Sequence, residues 1–339
     1  MVMHEALFYT PESKGLRCSL CSHHCLIAAG GRGLCKVREN QGGKLYSLVY
    51  GMVAAEAADP VEKKPLYHFL PGSRTWSIAT QGCNFSCRHC QNHGLSQLAR
   101  GHNPIGRLRS PQEVVTMAQE AGCESISYTY SEPTIFFEFV EDCALAAKEQ
   151  GLANIFISNG YMSGQAAERA AAGGGKWLDA ANIDIKAFSE KFYREICGAK
   201  LAPVLETVER LHSLGVWLEI TTLIIPGLND REQELRGLAK FIAAISPDIP
   251  WHLSAFHPAY KLTDAPCTPV DSLLQAREIG LSTGLHYVYL GNVQLPGASD
   301  TICPDCGEVL AVRSGLSGQQ SRLVSKCSSC GRVIPGRWN

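Results

Sequence analysis

Seven short apolar runs alternate with more polar stretches between residues 74 and 291. The runs are rich in β-branched and aromatic residues, which is typical of strands. They lie at 74–80, 124–130, 153–158, 181–186, 216–225, 251–256 and 286–291. The intervening stretches predict helices at 110–122, 134–151, 163–172, 201–214, 229–246 and 268–284. Strand and helix in alternation predict an α/β fold with a parallel sheet and helical crossovers.

Residues that favour helix starts support three of these helices. Ser110 and Glu113 form a capping box around Pro111, which suits the first helical position. Asn229 is predicted to cap the helix at 229–246. Thr268, followed by a proline, is predicted to start the helix at 268–284.

Unusual residues follow most of the predicted strands. In chain order, the first six strands are followed or closed by three cysteines, "SEP", "NG", "IDIK", "PGLND" and "HPAY". Parallel α/β sheets bind ligands at the carboxyl ends of their strands. These elements should therefore gather on one face and form a single active site.

Composition divides the chain into three parts and limits its function. We predict an N-terminal cysteine-rich cap at 1–72, a core at 73–291 and a cysteine-bearing C-terminal segment at 292–339. The formal net charge of -1 offers no basic surplus for nucleic acid. No apolar run is long enough to span a bilayer, and the N-terminus lacks a signal-peptide pattern. We therefore expect a cytoplasmic protein without nucleic-acid or membrane partners.

Most of the fifteen cysteines are clustered, which in a cytoplasmic chain indicates metal sites rather than disulfides. The three groups are Cys18, Cys21, Cys25 and Cys35, then Cys83, Cys87 and Cys90, then Cys303, Cys306, Cys327 and Cys330. The remaining cysteines, Cys123, Cys143, Cys197 and Cys267, are predicted to be small core residues.

The loop "GCNFSCRHCQN" at 82–92 contains three cysteines and no fourth. Three thiolates can hold three irons of a cubic [4Fe–4S] cluster, whereas four would close it. The fourth iron would then be free to bind a substrate or cofactor. A zinc site with His89 or His93 as the fourth ligand is an alternative, and chance clustering is another.

The outer groups each supply four ligands. The two Cys-x₂-Cys-Gly turns at 303–307 and 327–331 predict a closed tetrahedral site, which zinc usually occupies. Metal binding would supply folding energy to a segment with little core. The group at 18–35 fits either zinc or a second iron–sulfur cluster, with a slight preference for zinc. His23 and His24 beside it are expected to be exposed.

The loop with its C-x₃-C-x₂-C spacing resembles the radical S-adenosylmethionine (SAM) superfamily, and most of all the branch that includes pyruvate formate-lyase activating enzymes. "YSEP" (130–133) is similar to the "GGEP" element of that branch, although Tyr130 and Ser131 replace two glycines. "SNG" (158–160) and "DIK" (184–186) are similar to two further elements. Blocks at 17–40, 127–136, 256–266 and 289–293, with "CPDCGEVL" near the end, resemble the AmmeMemoRadiSam-system radical SAM enzymes.

This resemblance implies an incomplete (β/α) barrel of radical SAM type with a cysteine-rich cap and a C-terminal zinc ribbon. It implies an oxidoreductase that cleaves SAM to a 5′-deoxyadenosyl radical, which removes hydrogen from a substrate. It also implies an electron donor like reduced flavodoxin or ferredoxin, and Memo-like and AMMECR-type partner proteins. A glycyl-radical activase is a rival within enzymes, and a non-catalytic zinc-bound scaffold is a rival from another class.

The resemblance also assigns roles to individual residues. Cys83, Cys87 and Cys90 would ligate iron. Ser131 and Glu132 would hold the methionine amino group of SAM, Asn159 would contact SAM, Asp184 and Lys186 would lie by its carboxylate, and His257 would reach the ribose or substrate. Each has a structural alternative: a salt bridge for Glu132, a left-handed turn for Asn159, an ion pair for Asp184 with Lys186, and a plain hydrogen bond for His257.

Overall fold

The N-terminal segment is built from short strands. The structure is a computed structural model that describes residues 4–99, 101–313 and 324–338. The strands are β1 (His4–Glu5), β2 (Tyr9–Glu12), β3 (Gly15–Cys18), β4 (Leu26–Ile27), β5 (Arg38–Gln41), β6 (Lys44–Ser47), β7 (Met52–Val53) and β8 (Ala55–Pro60), followed by a 3-10 turn at Val61–Lys63. Six of these strands form two small antiparallel sheets, ordered β1-β6-β5 and β2-β3-β4.

The central part alternates strand and helix as the sequence predicts. Its elements are β9 (Arg74–Ala79), α1 (His93–Ser96), β10 (Arg107–Leu108), α2 (Pro111–Glu120), β11 (Ser125–Tyr128), α3 (Phe137–Glu149), β12 (Ala153–Ser158), α4 (Gly164–Ala171), β13 (Ala180–Asp184), α5 (Glu190–Phe192), α6 (Ala202–Ser213), β14 (Trp217–Ile224), α7 (Glu232–Ile245), β15 (Trp251–Ala255), α8 (Val270–Ser282) and β16 (Val288–Gly291). Two 3-10 turns, Pro133–Phe136 and Gly173–Gly175, and a π-helix at Tyr193–Cys197 complete it.

One eight-stranded sheet unites these elements in the order β8-β9-β11-β12-β13-β14-β15-β16. Seven strands are parallel, and β8, which comes from the range predicted as the cap, lies antiparallel at one edge. Parallel neighbours need a crossover, which the intervening helices provide. The predicted α/β fold with a mostly parallel sheet is therefore confirmed. All the parallel strands end at the same side.

The helix boundaries follow the local sequence, with two corrections. The predicted capping box of Ser110 and Glu113 is confirmed at α2. The helix predicted from Asn229 begins only at Glu232, because the Asn229 side chain bonds the preceding turn instead. The last crossover helix begins at Val270, since the Thr268 hydroxyl donates to the carbonyl of Ile224 rather than capping the helix.

The C-terminal segment contributes β17 (Thr301–Ile302) and β18 (Val309–Ala311), which pair antiparallel. It packs near the amino ends of the late strands, where Tyr287 and Tyr289 are buried together with Cys303, Cys327 and Ile334. The backbone of Arg337 exchanges hydrogen bonds with the segment around His68. Among the helices of the described ranges, none combines the length and apolarity needed to cross a membrane.

Candidate active site

A cavity opens at the carboxyl ends of the parallel strands, where the sequence predicts the site. Its lining includes Cys83, Cys87, Cys90, Ser131, Glu132, Asn159, Asp184 and Lys186. These residues follow or end β9, β11, β12 and β13. Thr221 of β14 also lines the cavity, so five neighbouring strands contribute to it. His257 is exposed and is not part of the lining. The sequence motifs after β9, β11, β12 and β13 converge.

The cysteine loop at 82–92 is anchored to the π-helix. Backbone N–H groups of Ser86 and Arg88 donate to the carbonyls of Cys197 and Ile196, both at 2.9 Å. Within the loop, the Phe85 N–H points at Cys83 Sγ at 3.3 Å. Hydrogen bonds to sulfur favour the thiolate, the form that binds metal.

A fourth cysteine does approach the loop, from far along the chain. Cys197, which the sequence predicts to be an isolated core residue, is buried, and its thiol interacts with that of Cys87. This interaction lowers the pKa of the Cys87 thiol, whereas burial, together with the same interaction, raises the pKa of Cys197. No local pattern could have paired two cysteines so far apart. Cys267 departs from the same prediction, since it is exposed.

His89 is buried within the loop, and its Nδ1 has no hydrogen-bond partner. Burial, with a smaller contribution from the Lys186 cation, lowers the pKa of His89 to about 3, so the ring is neutral near pH 7. His93 is instead exposed and stacks on Tyr260 with ring centroids 4.7 Å apart. Of the two histidines considered as zinc ligands, only His89 lines the cavity.

Glu132 joins the ends of β11 and β12. Its Oε1 accepts from the backbone and hydroxyl of Thr134 and from Ser158, and its Oε2 accepts from the Asn159 N–H at 2.8 Å. These donors are neutral, so the salt bridge considered as the structural alternative is not what holds Glu132. Burial raises the pKa of this carboxyl, and the hydrogen bonds oppose that shift. A carboxylate oxygen can accept two hydrogen bonds, so Oε2 retains acceptor capacity.

Asn159 connects the third strand to the cysteine loop. Its amide Nδ2 donates to Asn84 Oδ1 at 2.7 Å and points at Cys83 Sγ at 3.9 Å. The left-handed turn considered for Asn159 is taken by Gly160, with φ of 69°. A Cβ on that glycine would meet Ile183 Cγ2 at 2.8 Å, so both conformation and space require glycine.

Asp184 and Lys186 form an ion pair at the cavity wall, with Nζ to Oδ2 at 3.0 Å. Burial opposes the charge of Lys186, but Asp184 and neighbouring thiols outweigh it and hold the lysine pKa well above its usual value. Asn229 braces this turn by donating to the Lys186 carbonyl at 2.7 Å. Asp184 and Lys186 therefore form the ion pair that was considered as their structural alternative, and both also line the cavity.

Tyr130 occupies a position where the similar "GGEP" element has glycine. Its backbone has a positive φ, which glycine adopts most easily. Its φ is 60°, which costs a non-glycine residue about 1–2 kcal/mol. Its hydroxyl donates to Asp59, a strand β8 residue that also binds Lys64 at 2.7 Å, and the Lys64 ammonium lies 4.4 Å from the Tyr130 ring centre. Contacts with the edge strand therefore stabilise the left-handed residue.

Among the late strands, three polar side chains of the cavity lining were missed: Thr221, Ser254 and Asn292. They come from β14, β15 and the residue after β16. Thr221 and Leu223 both line the cavity because residues two apart share one face of a strand. That period could have identified them. The Thr221 hydroxyl is buried without a hydrogen-bond partner.

The C-terminal cysteines form a second, tighter group. Cys303, Cys306, Cys327 and Cys330 have their Sγ atoms within 4.8 Å of one another. Cys303 and Cys330 sulfurs are 3.6 Å apart, as are those of Cys306 and Cys327. Four sulfurs bound to one zinc at about 2.3 Å would be about 3.8 Å apart. The predicted four-residue group is thus brought together at the spacing of a single-ion site.

Comparison with known proteins agrees with this geometry. The model of the Radical SAM superfamily matches residues 77–239. An uncharacterized protein of Methanocaldococcus jannaschii is 42% identical over 337 residues, covering 98% of this chain and 99% of that protein. The pyruvate formate-lyase-activating enzyme of Clostridium pasteurianum is 26% identical over 177 residues, covering 52% of this chain and 71% of that one.

Solved structures show a similar fold. The crystal structure of Streptococcus suis SuiB bound to precursor peptide SuiA aligns with a TM-score of 0.50 at 13% identity, covering 69% of this chain and 51% of that chain. The matched family segment begins in β9 and ends in α7, so it contains the cysteine loop and the motifs after β11, β12 and β13. The chain belongs to the radical SAM superfamily.

Proposed function

We propose that this chain uses a three-cysteine [4Fe–4S] cluster and SAM to generate a radical that removes hydrogen from a substrate. The observation that supports it most is the cavity in which the cysteine loop meets the elements after three further strands. Members of the superfamily are enzymes that bind such a cluster and SAM. The donor set fits the cluster, because three cysteines line the cavity with no fourth cysteine in its lining.

Cys83, Cys87 and Cys90 would hold the cluster, and the open iron would take the methionine amino and carboxylate groups of SAM. When bound, the reduced cluster supplies the electron that cleaves SAM to methionine and a 5′-deoxyadenosyl radical. The protein positions these groups and excludes water.

The residues around the loop provide complementary charges and surfaces. Glu132 Oε2 has acceptor capacity for an ammonium, and Lys186 offers a cation to a carboxylate. The neutral, buried ring of His89 offers a flat surface and a free nitrogen to a base. Thr221, Ser254 and Asn292 line the side of the cavity formed by the late strands, where we place the substrate.

A second candidate is activation of a glycyl-radical enzyme, in which the substrate is a glycine of another protein. The likeness to the Clostridium pasteurianum activating enzyme supports it. The two candidates share the cluster and SAM, and differ in whether the hydrogen donor is a polypeptide. A non-catalytic zinc scaffold would not need the convergence of the cysteine loop with the other strand ends.

The remaining expectations also belong to this proposal. The C-terminal quartet, Cys303, Cys306, Cys327 and Cys330, would hold zinc as a ribbon, which its 3.6 Å sulfur contacts support. A reduced flavodoxin- or ferredoxin-like protein would supply electrons. Memo-like and AMMECR-type proteins would be partners, and the cytoplasm would be the location.

The test is anaerobic production of 5′-deoxyadenosine. The protein is reconstituted with iron and sulfide, reduced, and given SAM, and 5′-deoxyadenosine is followed by chromatography. We expect product from the natural sequence and from Cys123→Ala, a buried cysteine outside the cavity, and none from Cys87→Ala. A loop that binds zinc and no iron would contradict the proposal.

A further inference from the structure

We infer that the N-terminal quartet, Cys18, Cys21, Cys25 and Cys35, is the site of a second, closed [4Fe–4S] cluster rather than of zinc. The sequence favours zinc slightly for this group. The structure favours the larger cofactor because of the spacing of the sulfurs, the space between them and the donors that face them.

The four sulfurs of the N-terminal quartet surround a cavity instead of meeting one another. All four cysteines line this enclosed space. In the described ranges, the group whose ligand atoms all lie within 4.8 Å of one another is the C-terminal quartet, and the N-terminal quartet does not reach that spacing. A cube of four irons and four sulfides separates its thiolates by more than a single tetrahedral ion does. The site loop, with Cys83, Cys87 and Cys90, shares the wider spacing.

The rest of the lining suits a cluster. It consists of Leu20, His23, Ile27, Gly33, Leu34, Arg38 and Ile135. Apolar walls limit solvent access, and solvent access is one of the factors that set cluster potential. A Cβ on Gly33 would lie 3.8 Å from Cys25 Sγ, so glycine brings the backbone close to the cavity.

Two N–H donors point at sulfurs of the N-terminal quartet. The Leu34 N–H lies 3.5 Å from Cys25 Sγ, and an Arg38 guanidinium N–H lies 3.7 Å from Cys18 Sγ. Hydrogen bonds to sulfur tune the potential of iron–sulfur centres. Arg38 is itself fixed by the buried carboxylate of Glu138 and by the Leu7 carbonyl at 3.0 Å. The positive guanidinium would also offset part of the charge of a four-thiolate centre.

The N-terminal quartet lies against the cysteine loop of the active site. A Cβ on Gly82, next to Cys83, would be 3.0 Å from the Cys35 carbonyl. His23 Nε2 forms a hydrogen bond with the Asn84 carbonyl at 2.7 Å. The backbone of Cys21 forms an isolated β-bridge with Met162, which follows β12. The two groups of cysteines are thus held on adjoining loops with direct backbone contact.

This contact indicates a relay, which rests on the proposed function of the cysteine loop. A low-potential one-electron donor would reduce the N-terminal cluster, which would then pass one electron to the cluster at 83–90. The N-terminal cluster takes up one electron and then gives it up again. No covalent bond is formed or broken, and no proton is transferred. Leu34, beside Cys35, is 61% exposed, so only a thin layer separates this centre from solvent.

Metal analysis of reconstituted full-length protein tests the inference. The natural sequence should hold about eight irons, and the triple variant Cys83→Ala, Cys87→Ala, Cys90→Ala about four, with equal acid-labile sulfide and about one zinc. After reduction, the triple variant should still give the electron paramagnetic resonance signal of a [4Fe–4S]⁺ centre, and that signal should not change on adding SAM. Two zinc ions and no iron in the triple variant, or one zinc and no iron, would overturn the inference.

A second variant decides the matter if the triple variant does not fold. The double variant Cys18→Ala, Cys25→Ala leaves two thiols, too few to hold a cubic cluster, and should lower iron from about eight to about four and leave the SAM-sensitive signal, whereas Cys123→Ala should keep about eight. Unchanged iron in the double variant would overturn the inference. If iron survives in the triple variant but the natural sequence shows no SAM-sensitive signal, the second cluster stands and the proposed function fails. Slower reduction of the SAM-sensitive centre by reduced ferredoxin in the double variant Cys18→Ala, Cys25→Ala supports the relay, and an unchanged rate removes it.

Discussion

The two cysteine quartets use the same four ligands at opposite ends of the sheet and differ in geometry. The C-terminal quartet brings sulfurs to 3.6 Å of each other near the amino ends of β15 and β16. The N-terminal quartet surrounds a cavity beside the carboxyl end of β12. The number of cysteines therefore does not decide the metal. The deciding factors are the distances between the sulfurs and the residues that lie next to them.

The largest effect should follow the loss of one C-terminal ligand. Cys327→Ser should release the zinc proposed for that quartet and cost more than about 5 kcal/mol of the segment's folding free energy, because metal binding would supply much of it. Zinc content and thermal unfolding measure this. Iron content should stay the same. A drop in iron instead of zinc would show that the two quartets have been assigned the wrong way round.

Removal of the buried arginine should affect only the N-terminal side. Arg38→Ala leaves Glu138 buried without its cation, which should cost about 3–5 kcal/mol of unfolding free energy. It also removes the donor to Cys18, so iron at this quartet should fall while zinc is kept. Denaturant unfolding with metal analysis checks both.

Arg17→Ala is the matched control on the same segment. Arg17 pairs with Glu12 at the surface, where water and salt screen the two charges, so its loss should change stability far less than the loss of Arg38. If both variants lost equal stability, the buried pair would not be what holds the N-terminal segment to α3.

A methyl group at Gly82 should separate the N-terminal quartet from the active-site loop. In Gly82→Ala the added carbon would press on Val37 Cγ1 at 2.8 Å and on the Cys35 carbonyl at 3.0 Å. We expect the free energy of unfolding to fall by about 1–3 kcal/mol and the iron content of both proposed clusters to decrease. Gly284→Ala is the control, because Gly284 has the same φ of 107° and nothing within 4 Å. Equal effects of the two variants would mean that backbone strain, not contact, matters.

The smallest effect is expected at Cys267. This cysteine is exposed and belongs to neither quartet. Cys267→Ser should change the free energy of unfolding by no more than about 0.5 kcal/mol and leave iron and zinc unchanged. Loss of either metal would reveal a ligand that the comparison of the two quartets omits.

The strand–helix order was predictable because each parallel strand is a short apolar run with its own helix. The seven strands appear where the pattern placed them, and the motifs after four of them share one cavity. Local sequence failed where a side chain has a distant partner. Asn229 bonds the Lys186 carbonyl instead of capping a helix, and Cys197 meets Cys87 across the fold.

Sequence spacing also could not separate the quartets. Ligand order along the chain gives the number of thiols but not the distances between their sulfurs, which depend on how the loops around Gly33 and Gly82 pack. The preference for a cluster at the N-terminal quartet therefore rests on the three-dimensional arrangement alone. The residues from late strands, such as Thr221, carried a detectable period but no motif.

Tyr130 shows how this site could be redesigned. This residue in a left-handed conformation links the edge strand β8 to the loop after β11, since its hydroxyl donates to Asp59 and its ring lies under the Lys64 ammonium. A designer who restored glycine at this position alone would ease the backbone but leave a buried carboxylate without one donor. Positions 59, 64 and 130 form one exchangeable unit, and grafting this loop onto another sheet requires moving all three.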